Sequence, residues 1–184
     1  DMVSRGLGDV YKRQPGVHSF RARFIPVSSL SAVFVGSDTL LLQCVEEWRA
    51  QGHEVAMVVT DAPRIAAHCA DIDAPCAVAQ ADLGAQLAGV SCDYLFAVTW
   101  FKLLPESVLR VPRVAAVNFH DGPLPRYAGL NATCWALLNG EAEHAVTWHV
   151  IQPQTDGGDV LVQSSFAIGA VSYTHLRAHE TPCH

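Results

Sequence analysis

Three side chains suited to acyl-group chemistry stand at informative positions. Asn118 and His120 lie two residues apart at the end of the apolar run VAAVNFH, and Asp156 follows in QTDGGD, 36 residues after the histidine. In an extended strand, residues i and i+2 project to one face. An amide and an imidazole therefore reach into one space where the strand ends. The next residues, DGPLP, cannot continue a ladder because glycine and two prolines interrupt it. A polar pair at the C-terminal end of an α/β strand, followed by an abrupt loop, is where such folds carry their sites. The two groups can donate hydrogen bonds to a carbonyl oxygen that becomes negative as a nucleophile attacks. A carboxylate beside the imidazole favours its protonated form. Taken singly, each has a plainer reading: a strand-end asparagine, a core histidine, and a turn-forming aspartate in TDGGD.

The elements that must position these groups are legible as alternating strands and helices. SAVFVG (Ser31–Gly36) reads as a buried parallel strand. SDT then offers helix caps, and Leu41, Leu42, Cys44, Val45 and Trp48 make one helical face stopped by Gly52. Residues 53–60, HEVAMVVT, form a second strand, so the chain opens with a βαβ unit and a parallel sheet. Residues 63–69 read as a short helix, 71–80 as ambiguous and 81–89 as a weak helix. DYLFAVTW (93–100) is a third strand, and Pro105 begins a short helix as an N1 proline. Residues 114–120 form the strand that carries the site. Asn131 is placed to cap a helix through Asn139, with Gly140 as its stop and Trp135 and Leu138 facing the core. Residues 144–151 and 160–168, joined by QPQTDGGD, predict an antiparallel pair at one side of the sheet.

Composition narrows the function. Of 184 residues, 50% are hydrophobic and 16% charged, which suits one packed domain, and the formal net charge is −6. An acidic chain with scattered arginines predicts no nucleic-acid partner. No apolar run approaches the length of a membrane span. The turn after the first strand, G-S-D-T, lacks the G-x-G-x-x-G glycines of a dinucleotide site. Six cysteines with no C-x-x-C spacing predict reduced thiols in a cytoplasmic protein.

Asn-x-His followed by LPRYAG, then an aspartate in a D-x-G-D run, resembles the folate-dependent formyltransferase family. The wording NFHDGPLPRYAGLNATCWALLNGE with HAVTWHVI is most similar to formylation domains of nonribosomal peptide synthetases. The likeness runs from about Ser31 to Ile168. It implies a Rossmann-like formyltransferase fold, with a mostly parallel, doubly wound sheet, an antiparallel pair near the C-terminus, and a C-terminal truncation. It implies transfer of a formyl group from 10-formyltetrahydrofolate to a primary amine without a metal. The acceptor implied is an aminoacyl group, tethered to a carrier protein. Hydrolysis of the formyl-folate by water, and a noncatalytic folate-binding fragment, stay open as alternatives.

The resemblance also implies residue roles. Asn118 orients and polarises the formyl group, His120 stabilises the oxyanion, and Asp156 positions the histidine and assists proton movement. The main chain of Lys102, Leu103 and Leu104 holds the pteridine ring. The loop with Pro125, Arg126, Tyr127 and Gly129 walls the substrate cleft, with a cis bond before Pro125; Arg126 reads either as a contact for an acidic group of a substrate or as an exposed, solvated arginine. His149 resembles a folate-side histidine of some relatives, and placement in the core is the equal alternative. Asp121 stands where relatives often have a small residue or proline, and its role is open.

Both ends resemble translated sequencing-adapter read-through. The expected organisation is a non-native tail over 1–14, a lead-in over 15–30, a formyltransferase catalytic domain over 31–170 that is incomplete at its C-terminus, and a second non-native tail over 171–184. The second tail includes His175 and His179 at metal-ligand spacing, set aside with the tail.

Overall fold

The computed structural model describes residues 29–169. The two expected tails, the histidines at 175 and 179, and most of the lead-in lie outside the described residues.

The elements follow in the order β1 (Ser31–Gly36), α1 (Thr39–Ala50), β2 (Glu54–Thr60), α2 (Pro63–Asp71), β3 (Cys76–Val78), α3 (Leu83–Leu87), β4 (Cys92–Val98), α4 (Glu106–Leu109), β5 (Pro112–His120), α5 (Ala132–Leu138), β6 (Glu143–Val150) and β7 (Val160–Ala167). The strands form one sheet in the order β3-β2-β1-β4-β5-β6-β7. Pairing is parallel from β3 to β5 and antiparallel from β5 through β6 to β7. Strand order reverses beside β1, where β4 lies on the side away from β2. Ligand crevices in open α/β sheets lie outside the carboxyl ends of strands near such a reversal.

The alternation of side chains along each strand feeds two cores. On one face, Ala32 and Phe34 of β1 and Val58 of β2 pack with Leu41, Leu42 and Val45 of α1 and Ile65 and Cys69 of α2. On the other face, Val33, Val35, Val59 and Leu95 pack with Leu83 and Leu87 of α3 and Val108 of α4. The sheet is thus covered on both sides, which is why β1 reads as continuously apolar. Phe34 stacks on Phe96 with ring centroids 5.3 Å apart, and Trp48 meets Phe96 edge-on at 5.4 Å. Such pairs add about 0.5–1.5 kcal/mol beyond area burial. Asp38 caps α1 through its carboxylate, which accepts from Thr39 N at 2.6 Å. At the other end Gly52, at φ +82°, donates to Arg49 O while His53 N donates to Trp48 O. That left-handed residue is what the C′ position requires.

Several boundaries differ from the sequence expectation. The ambiguous stretch 71–80 contains β3, three residues paired in parallel with Val58–Thr60. Pro105 is the N-cap of α4 rather than its first helical residue. Asn131 precedes α5 but has φ +60° and makes no side-chain cap. The expected core face of α5 is corrected: Trp135 is 56% and Leu138 75% exposed, while Ala132 and Ala136 are buried. The helix lies too close to the loop after β5 for large side chains, since a Cβ on Gly122 would stand 2.7 Å from that of Ala132. Among the described residues no helix is long and apolar enough to cross a membrane.

Candidate active site

β5 ends in Asn118-Phe119-His120, and antiparallel pairing sets Asn118 opposite His149 of β6 and His120 opposite Thr147. Directly opposed residues of one face lie close enough for their side chains to interact. The Asn118 amide nitrogen is 3.1 Å from His149 Nε2. His149 Nδ1 is 3.0 Å from the Val150 carbonyl, which can only accept, so Nδ1 donates there and Nε2 accepts from the amide.

Asp156 arrives from the loop between β6 and β7. Gly157 N donates to Gln154 O in this turn, and Asp156 itself has φ +49°, a conformation that aspartate tolerates. Its Oδ2 accepts from Gly129 N at 2.7 Å and lies 3.7 Å from His120 Nδ1. Its Oδ1 lies 3.4 Å from His149 Nε2. His120 is buried, and its Nε2 donates to the Tyr127 carbonyl at 2.6 Å. Nε2 is therefore committed to the loop, and Nδ1 faces the carboxylate. Glycine at 122 lets this loop turn tightly under the ring: a Cβ there would stand 3.0 Å from His120 Nε2.

These groups line a cavity of about 440 Å³, within the usual range for small-molecule sites. Asn118, His120, Asp121, His149 and Asp156 contribute polar groups. Thr99, Trp100, Phe101, Lys102, Leu103 and Leu104 line the same cavity, as do Ile151, Gly129 and Leu130. Among the described residues, the backbone groups of 101–104 make no hydrogen bond to the protein. A run of free main-chain donors and acceptors suits a flat, polar-edged ring. The Lys102 side chain points to Asp61, with Nζ 2.7 Å from Oδ2, and Ser37 Oγ donates to Asp61 Oδ1 at 2.5 Å. The Lys102 hydrogen bond first, then that of Ser37, holds the Asp61 carboxyl below its ordinary range.

The structure brings Asn118, His120, Asp156, Lys102, Leu103, Leu104 and Gly129 to one cavity. Pro125, Arg126 and Tyr127, expected to wall the cleft, are not among the residues that line it, and the loop reaches the site through the Tyr127 carbonyl on His120. The Leu124–Pro125 bond is cis. Arg126 Nη2 and Tyr127 OH both donate to Glu141 Oε1, at 2.5 and 2.7 Å, so the arginine faces the end of α5 rather than the cavity. His149 and Asp121 were legible only as possibilities. The partner of His149 depends on the β5–β6 register, which no single strand reveals.

The family described as formyl transferase matches residues 73–178. A methionyl-tRNA formyltransferase of Geobacter metallireducens is 29% identical over 159 residues, covering 78% of this chain and 51% of the relative. The chain spans about half the length of the curated relatives it matches. Glycinamide ribonucleotide transformylase 1 from Symbiobacterium toebii superposes with a TM-score of 0.72 at 18% identity, covering 82% of this chain and 79% of that one. A formyltetrahydrofolate deformylase from Pseudomonas syringae pv. tomato gives 0.72 at 16% identity, covering 83% and 56%. At these identities the structural likeness speaks to the fold.

Proposed function

Since the chain belongs to the formyl transferase family, we propose that it transfers a formyl group from 10-formyltetrahydrofolate to a primary amine, with Asn118, His120 and Asp156 as the catalytic residues. The observation that carries this reading is the meeting of an amide, an imidazole and a carboxylate at the end of β5, in a cavity also lined by residues 101–104 with their free backbone. That backbone and the side chains of Leu103 and Leu104 hold the folate ring.

In the reaction the amine nitrogen bonds to the formyl carbon, the carbonyl oxygen becomes negative, and the bond to folate N10 then breaks. The amine loses one proton and N10 gains one. Asn118 spends one amide N–H on His149 and keeps the other for the oxygen. His120 Nε2 is held by the Tyr127 carbonyl, so Nδ1 is the nitrogen left to serve the reacting atoms. Asp156, 3.7 Å from it, stabilises the ring when Nδ1 carries a proton. Burial of both groups strengthens these interactions relative to water.

The acceptor we assign is the amine of an aminoacyl group, carried on a carrier protein. The likeness of the NFHDGPLPRYAG wording to formylation domains of peptide synthetases supports it, and so does a net charge of −6, which disfavours nucleic acid. The test supplies 10-formyltetrahydrofolate with an aminoacyl thioester of a carrier protein or with an aminoacyl-tRNA and follows the formylated product by mass. Product from the tRNA alone would refute the acceptor, and product from neither would refute the transfer.

A further inference from the structure

We propose that Asp121 is the specificity residue for the acceptor, receiving its ammonium group and disfavouring amines that carry an anionic group alongside. The inference rests on the transfer reading above and deepens it.

Asp121 follows His120 directly and lines the same cavity as Asn118 and Asp156. The ionisable groups of that lining are otherwise accounted for. Lys102 is paired with Asp61, and Asp156 accepts from Gly129 N and faces Nδ1 of His120. Among the described residues, Asp121 has no cationic partner. Its carboxylate is exposed and takes one hydroxyl, Thr133 Oγ1 at 3.2 Å from Oδ2. Most of its acceptor sites therefore remain open.

The base beneath it is fixed. The Asp121 carbonyl accepts from Nε2 of buried His144 at 2.6 Å, and the Gly122 carbonyl accepts from Thr147 Oγ1 at 2.7 Å. An exposed carboxylate on a rigid base beside the reacting groups is a recognition element for a cation. An α-amine has an ordinary pKa of about 7.7–8.0 and arrives at pH 7 mostly as ammonium. A carboxylate attracts it and repels a neighbouring phosphate or carboxylate. Asp121 takes no part in the proton transfer; the amine that attacks is the fraction that has lost its own proton.

The test uses L-valinamide, an α-amine without a carboxylate, and free L-valine, which has one. Each is titrated calorimetrically at pH 7 into the 184-residue protein, with and without 5-formyltetrahydrofolate. Formyl-valinamide is followed separately by mass with 10-formyltetrahydrofolate. Asp121→Asn and Asp121→Ser should weaken valinamide binding about three- to fivefold, the range of one partly solvated ion pair. Both should narrow the preference for valinamide over valine and keep 5-formyltetrahydrofolate affinity. Equal valinamide affinity in the wild type and both variants, or no binding by the wild type, overturns the assignment whether or not transfer occurs. If the affinity difference is present but no formyl-valinamide forms, transfer to this amine fails and the recognition role of Asp121 stands.

Discussion

The Asn118 amide nitrogen and His149 Nε2 are 3.1 Å apart across directly opposed positions of β5 and β6. Because His149 Nδ1 is committed to the Val150 carbonyl, the ring fixes which end of the Asn118 side chain faces it. The amide is thereby oriented before any substrate binds, so its second N–H need not be reoriented during reaction. His149→Phe keeps the volume and removes the acceptor. Turnover should fall about tenfold, the equivalent of one lost hydrogen bond of about 1.4 kcal/mol. The loss should be larger in kcat than in KM, with part restored in His149→Gln. A change confined to KM would show that the ring contacts substrate instead of holding the amide.

His120→Ala and Asp156→Asn address the reacting nitrogen itself. Removing one transition-state donor typically costs about a hundredfold or more in rate. His120→Ala should therefore lose at least that, while folate affinity stays within a few-fold. Asp156→Asn should lose less in folate binding than in turnover, although it also weakens the acceptor of Gly129 N. Single-turnover mass measurements separate the two effects. Unchanged turnover in either variant removes that residue from the catalytic assignment.

Much of this architecture is local and was legible in the sequence. The i, i+2 spacing of Asn118 and His120 follows from strand geometry, and the apolar runs of β1, β2, β4 and β5 follow from a sheet buried on both faces. What escaped was set by neighbours distant in sequence. β3 is three residues long and mostly exposed, so it carries no period, and only the edge of β2 defines it. Trp135 and Leu138 look like core residues, but the close approach of α5 to Gly122 admits only alanines there. Arg126 next to the motif looks like a substrate ligand until Glu141, fifteen residues on, takes it. Spacing alone fixes neither the contact between His149 and Asn118 nor that between Gln163 and the proline loop.

Gln163, on the edge strand β7, holds that loop. Its Oε1 accepts from Leu124 N at 2.9 Å and lies 2.9 Å from Thr147 Oγ1, whose neighbour across the loop is the Gly122 carbonyl at 2.7 Å. Gln163→Leu leaves the part-buried Leu124 N–H without its acceptor. Loss of one such hydrogen bond costs about 0.5–1.5 kcal/mol. Thermal unfolding should show a lowered Tm, and Gln163→Glu, which retains the acceptor, should lose less. Because the same loop carries Tyr127 O against His120, turnover should fall along with Tm in the leucine variant. Equal Tm in both variants would mean that the loop is held by other contacts.

Acid sensitivity should centre on Asp93, at the opposite end of the sheet from the cavity. Ser31 N donates to Asp93 Oδ2 at 2.9 Å and Ser31 Oγ at 3.1 Å, while Arg113 donates to Oδ1 from Nη2 at 2.8 Å and from Nε at 3.1 Å. The Ser31 backbone hydrogen bond first, then the Arg113 guanidinium, holds this carboxyl below its ordinary range. The folded value is therefore lower than the unfolded one, near 3.9. Such a group contributes its stability in full above about pH 4, and that stability is lost as pH falls through the unfolded value towards the folded one. Urea unfolding of the wild type and Asp93→Asn from pH 7 to pH 3 should give a constant difference between pH 7 and about pH 5. The two curves should draw together below about pH 4, because protonated aspartate and asparagine are both neutral. A difference that stays constant down to pH 3 would mean that the strand-end contacts to Ser31 and Arg113 do not depend on the charge of Asp93.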